Sequence, residues 1–175
     1  MVRREPPRFT GVDTYQDHLG RFSFRFPTHW QRSELDEQRD GVMYRPVGAD
    51  EQTSLVAWVT QLDHPATAED LDVLRDGIDQ GIASLAAASV EEASDVVLEN
   101  LLKFERVCTF LDSGATRKRK TWILYVDKWL IVLTWQGASQ EEYDYWLAMA
   151  NYSYATFTLP PALWFAVDRD LNRKE

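Results

Sequence analysis

A chain of 175 residues, 45% hydrophobic and 13% aromatic, can bury one core without disulfide or metal staples and is too apolar to be disordered. Nineteen Lys and Arg stand against 28 Asp and Glu, a net charge of −9 with a pI near 4.8, which argues against a surface built to neutralise nucleic-acid phosphates. The single cysteine, Cys108, excludes an internal disulfide and, inside an apolar strand pattern, reads as a small buried hydrophobe rather than a reactive thiol.

Residues 1–20, MVRREPPRFTGVDTYQDHLG, hold basic side chains with no apolar run behind them, so the expectation is a cytoplasmic protein without an export signal. No stretch of about 18 apolar residues is present, which predicts no membrane insertion. The first structural signal is GRFSFRFPTHW, residues 20–30. Phe22, Phe24 and Phe26 alternate with Arg21, Ser23 and Arg25, the pattern of a strand with one buried face. Pro27 cannot donate a ladder hydrogen bond and ends the strand, and Trp30 is expected to fold back onto the same core. Residues 31–40 are polar and read as an edge strand or a loop. Residues 41–47 and 53–62 read as strands separated by the turn-prone Gly48-Ala49-Asp50.

Thr67 suits a helix N-cap. Glu69, Asp70 and Asp72 place negative charge at the positive helix end, and Leu71, Leu74, Ile78, Ile82 and Leu85 form an apolar stripe. Gly77 and Gly81 sit one turn apart beside it, each costing the helix roughly 1 kcal/mol against Ala; close approach to a sheet is the expected reason. Asp76 and Asp79 exclude a membrane dimer motif there. After an Ala- and Glu-rich stretch over 86–93, strands are expected at 96–111, 115–126 and 128–136, joined as an antiparallel meander by turns at Asp112-Ser113-Gly114 and Asp127. In the last of them Trp129, Ile131, Leu133 and Trp135 share one face while Leu130, Val132 and Thr134 share the other, so it needs cover on both sides. Ser139-Gln140-Glu141-Glu142 is a capping box opening a helix that repeats Tyr143, Trp146, Leu147, Ala150 and Tyr154 at helical spacing. Pro160 and Pro161 close that run, and Leu163, Trp164 and Phe165 are expected to pack before the tail turns polar. The expected fold is α+β: an antiparallel sheet flanked by helices on both faces, an α/β/α sandwich in a single domain spanning 1–175 with short polar tails.

The stretch YQDHLGRFSFRFPTHW from Tyr15 resembles the N-terminal signature of the PsbP-like proteins, in which a Gly and Phe strand leads to a Pro and a Trp. TWILYVDKWLIVLTWQG, residues 121–137, and the helix ending in TFTLP, residues 156–160, are also similar to that group. The resemblance implies the α/β/α sandwich shared by PsbP, the extrinsic subunit of photosystem II, and by the Mog proteins that bind the GTPase Ran. Members of this fold are mainly binding and assembly proteins, and bacterial relatives of the DcrB-like version act as chaperones for secreted effectors. The resemblance carries over no ion-binding residue.

No phosphate loop, GxGxxG, HExxH, CxxC pair or GxSxG elbow is present, so no catalytic residue and no cofactor is assigned. His18, His29 and His64 lie near predicted turns, but their spacing carries no metal signature and they read as ordinary turn residues. Asp168, Asp170 and Asn172 mimic the opening of a calcium loop, yet no Gly occupies its bend, and a solvated tail is expected. Arg117-Lys118-Arg119-Lys120 reads as a solvated strand end guarding a sheet edge or, functionally, as a docking surface for an acidic partner or phosphate group, with Arg117 and Arg119 facing opposite to Lys118 and Lys120. Tyr145, Met149 and Tyr152 fall off the core stripe of the second helix and form either an exposed apolar patch or a surface under the C-terminal tail. The resulting expectation is a non-enzymatic, cytoplasmic protein-interaction or assembly module with a protein partner and no nucleic acid. The alternative is a small enzyme or ligand-binding protein with a pocket between the sheet and the C-terminal segment, using His29 with Glu34 or Asp36 as acid and base.

Overall fold

The structure is a computed structural model that describes residues 4–164. Alternating residues build its strands: β1 (Val12–Gln16), β2 (Ser23–Pro27), β3 (Gln31–Glu34), β4 (Asp40–Arg45) and β5 (Ser54–Gln61), then β6 (Ser89–Leu98), β7 (Leu101–Asp112), β8 (Ala115–Val126) and β9 (Trp129–Gly137). The helices are α1 (Leu71–Ala83), α2 (Gln140–Thr156) and the short α3 (Pro161–Trp164). Seven strands form one sheet in the order β3-β4-β5-β9-β8-β7-β6, every neighbouring pair antiparallel. The fold is therefore α+β around a large antiparallel sheet.

The Phe strand lies outside that sheet. β1 and β2 make a separate two-stranded ribbon, joined beside α2 by a bridge in which Ser23 and Thr158 exchange backbone hydrogen bonds of 3.0 and 2.8 Å. Phe22, Phe24 and Phe26 are buried together, and Phe26 stacks on Tyr44 of β4 with ring centroids 4.0 Å apart. Trp30 folds back as expected, stacked on Trp135 of β9 at 5.8 Å. β1 was not legible in advance because only Tyr15 of its five residues is buried.

Ribbon and α2 cover the first sheet face, which presents Val42, Tyr44, Leu55, Ile131, Leu133 and Trp135. Ser139 caps α2 by accepting the Glu142 N–H at 3.1 Å. Its buried residues include Met149 and Ser153 besides Tyr143, Trp146, Ala150 and Tyr154, so the buried arc is wider than the expected stripe. Tyr154 reaches the sheet itself: its hydroxyl accepts the Trp135 N–H at 3.0 Å and donates towards the Lys120 and Leu133 carbonyls at 2.9 and 3.1 Å. Gly137 ends β9 where a Cβ would lie 2.4 Å from the Tyr143 nitrogen, so only glycine lets the strand turn this closely into α2.

The second face departs from the expected symmetry. Thr67 starts the helical run as foreseen, the Asp70 carboxylate accepting its N–H at 2.8 Å, but what it opens is a single 3-10 turn, Ala68–Asp70, that leads into α1. α1 touches β7, yet none of its residues is buried. Over β4 and β5, Met43, Val56 and Trp58 stay half-buried. The expected strand at 96–111 is two strands, because residues 99–100 make a turn that pairs Leu98 with Leu101. Of the Ala- and Glu-rich stretch over 86–93, residues 89–93 form the first half of β6 and 86–88 the turn before it.

Candidate functional site

Two-residue periodicity on β8 splits the basic run as its alternation requires. Lys118 and Lys120 point to the α2 side, where Lys118 pairs with Glu91 at 2.7 Å and Lys120 with Glu105 at 3.8 Å. Arg117 and Arg119 point to the α1 side. Arg117 is buried, pairs with Asp112 at 2.6 Å and donates to the Ala138 carbonyl at 3.2 Å. All four cations are at least partly enclosed, so the run is woven into the sheet rather than fringing it. Met149 is fully buried in the core. Tyr145 donates to the Glu5 carbonyl at 2.7 Å beneath the Arg4 guanidinium, and Tyr152 meets Phe9 edge to face at 5.5 Å. The N-terminal segment thus covers both tyrosines. The structure does not gather the seven residues singled out in the sequence into one surface.

What it does gather lies around α1. Arg106 of β7, almost wholly buried, pairs with Asp79 at 2.8 Å and Asp95 at 2.7 Å. Arg75 pairs with Asp95 at 2.6 Å and Asp72 at 2.9 Å. Burial lowers the Arg106 pKa, but its two carboxylates outweigh that and hold it above the ordinary value. Asp95 is raised by burial and lowered more by Arg106 and Arg75, and ends below the usual carboxylate range. These pairs hold α1 to β6 and β7 by charge while its apolar stripe stays half-buried. Beneath the helix remains a cavity of about 220 Å³, bordered by Gly77 and Gly81 on one side and by Cys108, Arg119 and Thr121 on the other. A Cβ at either glycine would meet nothing within 4 Å, so close packing on the sheet is not what these glycines serve. Burial pushes the Cys108 thiol up and the Arg119 guanidinium down.

The sheet's two edges differ sharply. β3 is four polar residues long. β6 is ten residues long, exposed except at Asp95, and displays Val90, Val96, Val97 and Leu98, each more than 40% exposed. Its outer side carries no strand among the described residues. Glu91, Glu92 and Asp95 mask the alternation of this edge in the sequence; the signal within it is Val-Val-Leu, residues 96–98, immediately before Glu99-Asn100.

Among the described residues, His18 is the one histidine that joins a cluster, with Asp17 and Asp40. Arg21 already supplies a positive charge there: it donates to both Asp17 oxygens at 2.7 and 2.8 Å and to Asp40 at 2.7 Å, which hydrogen-bonds both carboxylates and offsets one of their two charges. Beside it a cleft of about 470 Å³ is walled by Trp58 and Trp129. His29 bonds Thr10 at 3.2 Å and Glu34 bonds Arg32 at 2.9 Å; among the described residues no ion pair joins His29 to Glu34 or Asp36, so the expected acid and base do not meet. Asp168, Asp170 and Asn172, with Phe165, lie outside the described residues.

No protein-family model matches the chain, and no curated protein matches it in sequence. Solved structures do. Cyanobacterial PsbP (CyanoP) from Synechocystis sp. PCC 6803 superposes with a TM-score of 0.64 over 91% of this chain and 99% of its own, at 13% identity. LpqN, involved in cell envelope biogenesis of Mycobacterium tuberculosis, gives 0.62 over 85% and 92%, also at 13% identity. The Saccharomyces cerevisiae Ran-binding protein Mog1p gives 0.53 over 85% and 95%, at 9% identity. At these identities the likeness is one of fold: the chain has the PsbP-like and Mog-like fold.

Proposed function

We propose that the chain acts as one domain, a non-enzymatic protein-interaction or assembly module that recruits an extended segment of a protein partner along β6. The observation that carries this reading is the edge itself. A long, apolar and uncovered edge strand offers a row of backbone hydrogen-bonding groups to an incoming strand, with alternate side chains setting specificity, and folded proteins normally blunt such edges. β3 is blunted in that way along its whole length; β6 is blunted only in its first half, by Glu91, Glu92 and a bulge between Val90 and Glu92, and its second half, Val96 to Leu98, is not. That one structural neighbour is a Ran-binding protein supports a binding role over catalysis. A cytoplasmic setting belongs to the same reading, supported by the free, buried Cys108.

The test is affinity capture with the full chain and with a Val96→Lys/Val97→Lys variant, whose side chains are exposed and whose stability should change by less than about 0.5 kcal/mol. A partner retained by the wild type, lost from the variant and shown by hydrogen exchange to protect β6 amides supports the proposal. A partner held equally by both, or no partner at all, refutes it. Cell fractionation checks the compartment.

A further inference from the structure

The space beneath α1 costs the helix stability and is left open. Gly77 and Gly81 are unfavourable in a helix interior, no neighbour demands them, and both border the cavity. Its walls are otherwise mainly aliphatic, from Ile78, Ile82 and Leu85 on the helix side and Ile123 on the sheet. At about 220 Å³ it falls below the roughly 300 Å³ at which drug-sized pockets begin.

Its polar wall holds two guanidinium groups in different states. Arg106 is matched by Asp79 and Asp95. Arg119 has no carboxylate within ion-pair distance among the described residues, and Asp112, itself paired with Arg117, acts on it only from further away: Nε and Nη2 both donate to the Gln136 side-chain oxygen, at 3.0 and 2.7 Å, and the Phe110 ring lies 4.5 Å away. Arg21, Arg75, Arg106 and Arg117 all have acidic partners, in a protein carrying nine excess negative charges. Arg119 is half-buried, and a partly desolvated cation with no anion in contact gains when one is supplied.

We propose that this cavity binds a small amphiphilic monocarboxylate, its aliphatic body against Ile78, Ile82, Leu85 and Ile123 and its carboxylate on Arg119. One unmatched positive charge calls for one negative charge, and guanidinium and carboxylate are geometrically suited to each other. The aliphatic walls disfavour an inorganic anion with no apolar body. This site is separate from the outer edge of β6, so either proposal can fail alone.

The experiment is calorimetric titration of the full chain with octanoate, 1-octanol and inorganic phosphate. Octanoate is expected to bind saturably, the alcohol about tenfold or more weakly for want of the charge-assisted hydrogen bond, and phosphate not to compete. Arg119→Met should abolish the preference for octanoate over octanol. Gly81→Ala, which narrows the cavity without touching the charge, should raise the melting temperature and weaken octanoate binding, so the site stays testable even where Arg119→Met does not fold. Equal affinity for acid and alcohol, displacement by phosphate, unchanged octanoate affinity in Gly81→Ala, or no octanoate binding would each overturn the proposal.

Discussion

Tyr154 shows how one hydroxyl can connect two layers. Its ring belongs to the α2 core, while its oxygen takes up the Trp135 N–H and lies beside two strand carbonyls. Burial raises its pKa well above the ordinary value, so it stays neutral and can both donate and accept. Tyr154→Phe removes that oxygen without changing the packing shape and should cost about 1–3 kcal/mol, read as a lower urea midpoint at unchanged slope. Asp17 is the acid-sensitive counterpart. Burial raises its carboxyl pKa, but the Arg21 guanidinium and N–H lower it more, and it ends below the usual value. Because the folded-state pKa lies below the unfolded one of about 3.9, the stabilisation is full above that pH and is lost as pH falls through the depressed folded value. Urea titrations below pH 4 should therefore show a shallower loss of stability in Asp17→Asn than in the wild type. The alkaline limit has the opposite sign: burial pushes the Tyr44 phenol up to about 12, so its stabilisation is intact below about pH 10 and disappears between there and 12.

Elements of similar appearance are held in different ways. α2 is fixed by buried aromatic residues and a capped start, whereas α1 is tied down mainly by the Asp72-Arg75-Asp95-Arg106-Asp79 chain of ion pairs. Arg106 is the buried member, and removing it leaves two carboxylates facing each other across the gap. Arg106→Met should cost on the order of 2 kcal/mol, discounted from a fully buried pair because Asp79 is half exposed. Hydrogen exchange should speed up in α1 before β8 or β9, since few buried apolar contacts hold that helix. Had the apolar stripe been the anchor, the variant would leave α1 exchange unchanged.

Across the whole molecule the covering of the sheet is lopsided. Ribbon and α2 seal one face; on the other, α1 sits near the β6 and β7 end, with a cavity beneath it and an open edge beside it. The periodicity of β9 calls for cover on both faces; on the second, Val132 is buried while Leu130 and Thr134, with Gln136 beyond them, are only half so. Polar side chains on the second face reduce the apolar surface that a helix would otherwise have to cover. The two places where the chain leaves favourable surface unfilled, the β6 edge and the Arg119 cavity, are the two to which binding roles are assigned.

Properties set by spacing of a few residues were determined by the sequence itself. The one-sided Phe strand, the two-sided β9, the Ser139 cap and the split of the basic run all follow from side-chain direction and local hydrogen bonding. Tertiary structure alone decided which strand would be left at an edge, that the Phe strand would leave the main sheet, and that Met149 would be buried. It also left Gly77 and Gly81 exposed at the border of a cavity rather than packed against the sheet. Those outcomes depend on which distant surfaces compete for the same neighbour, and residues far apart in the chain carry no mutual signal until the sheet order brings them together.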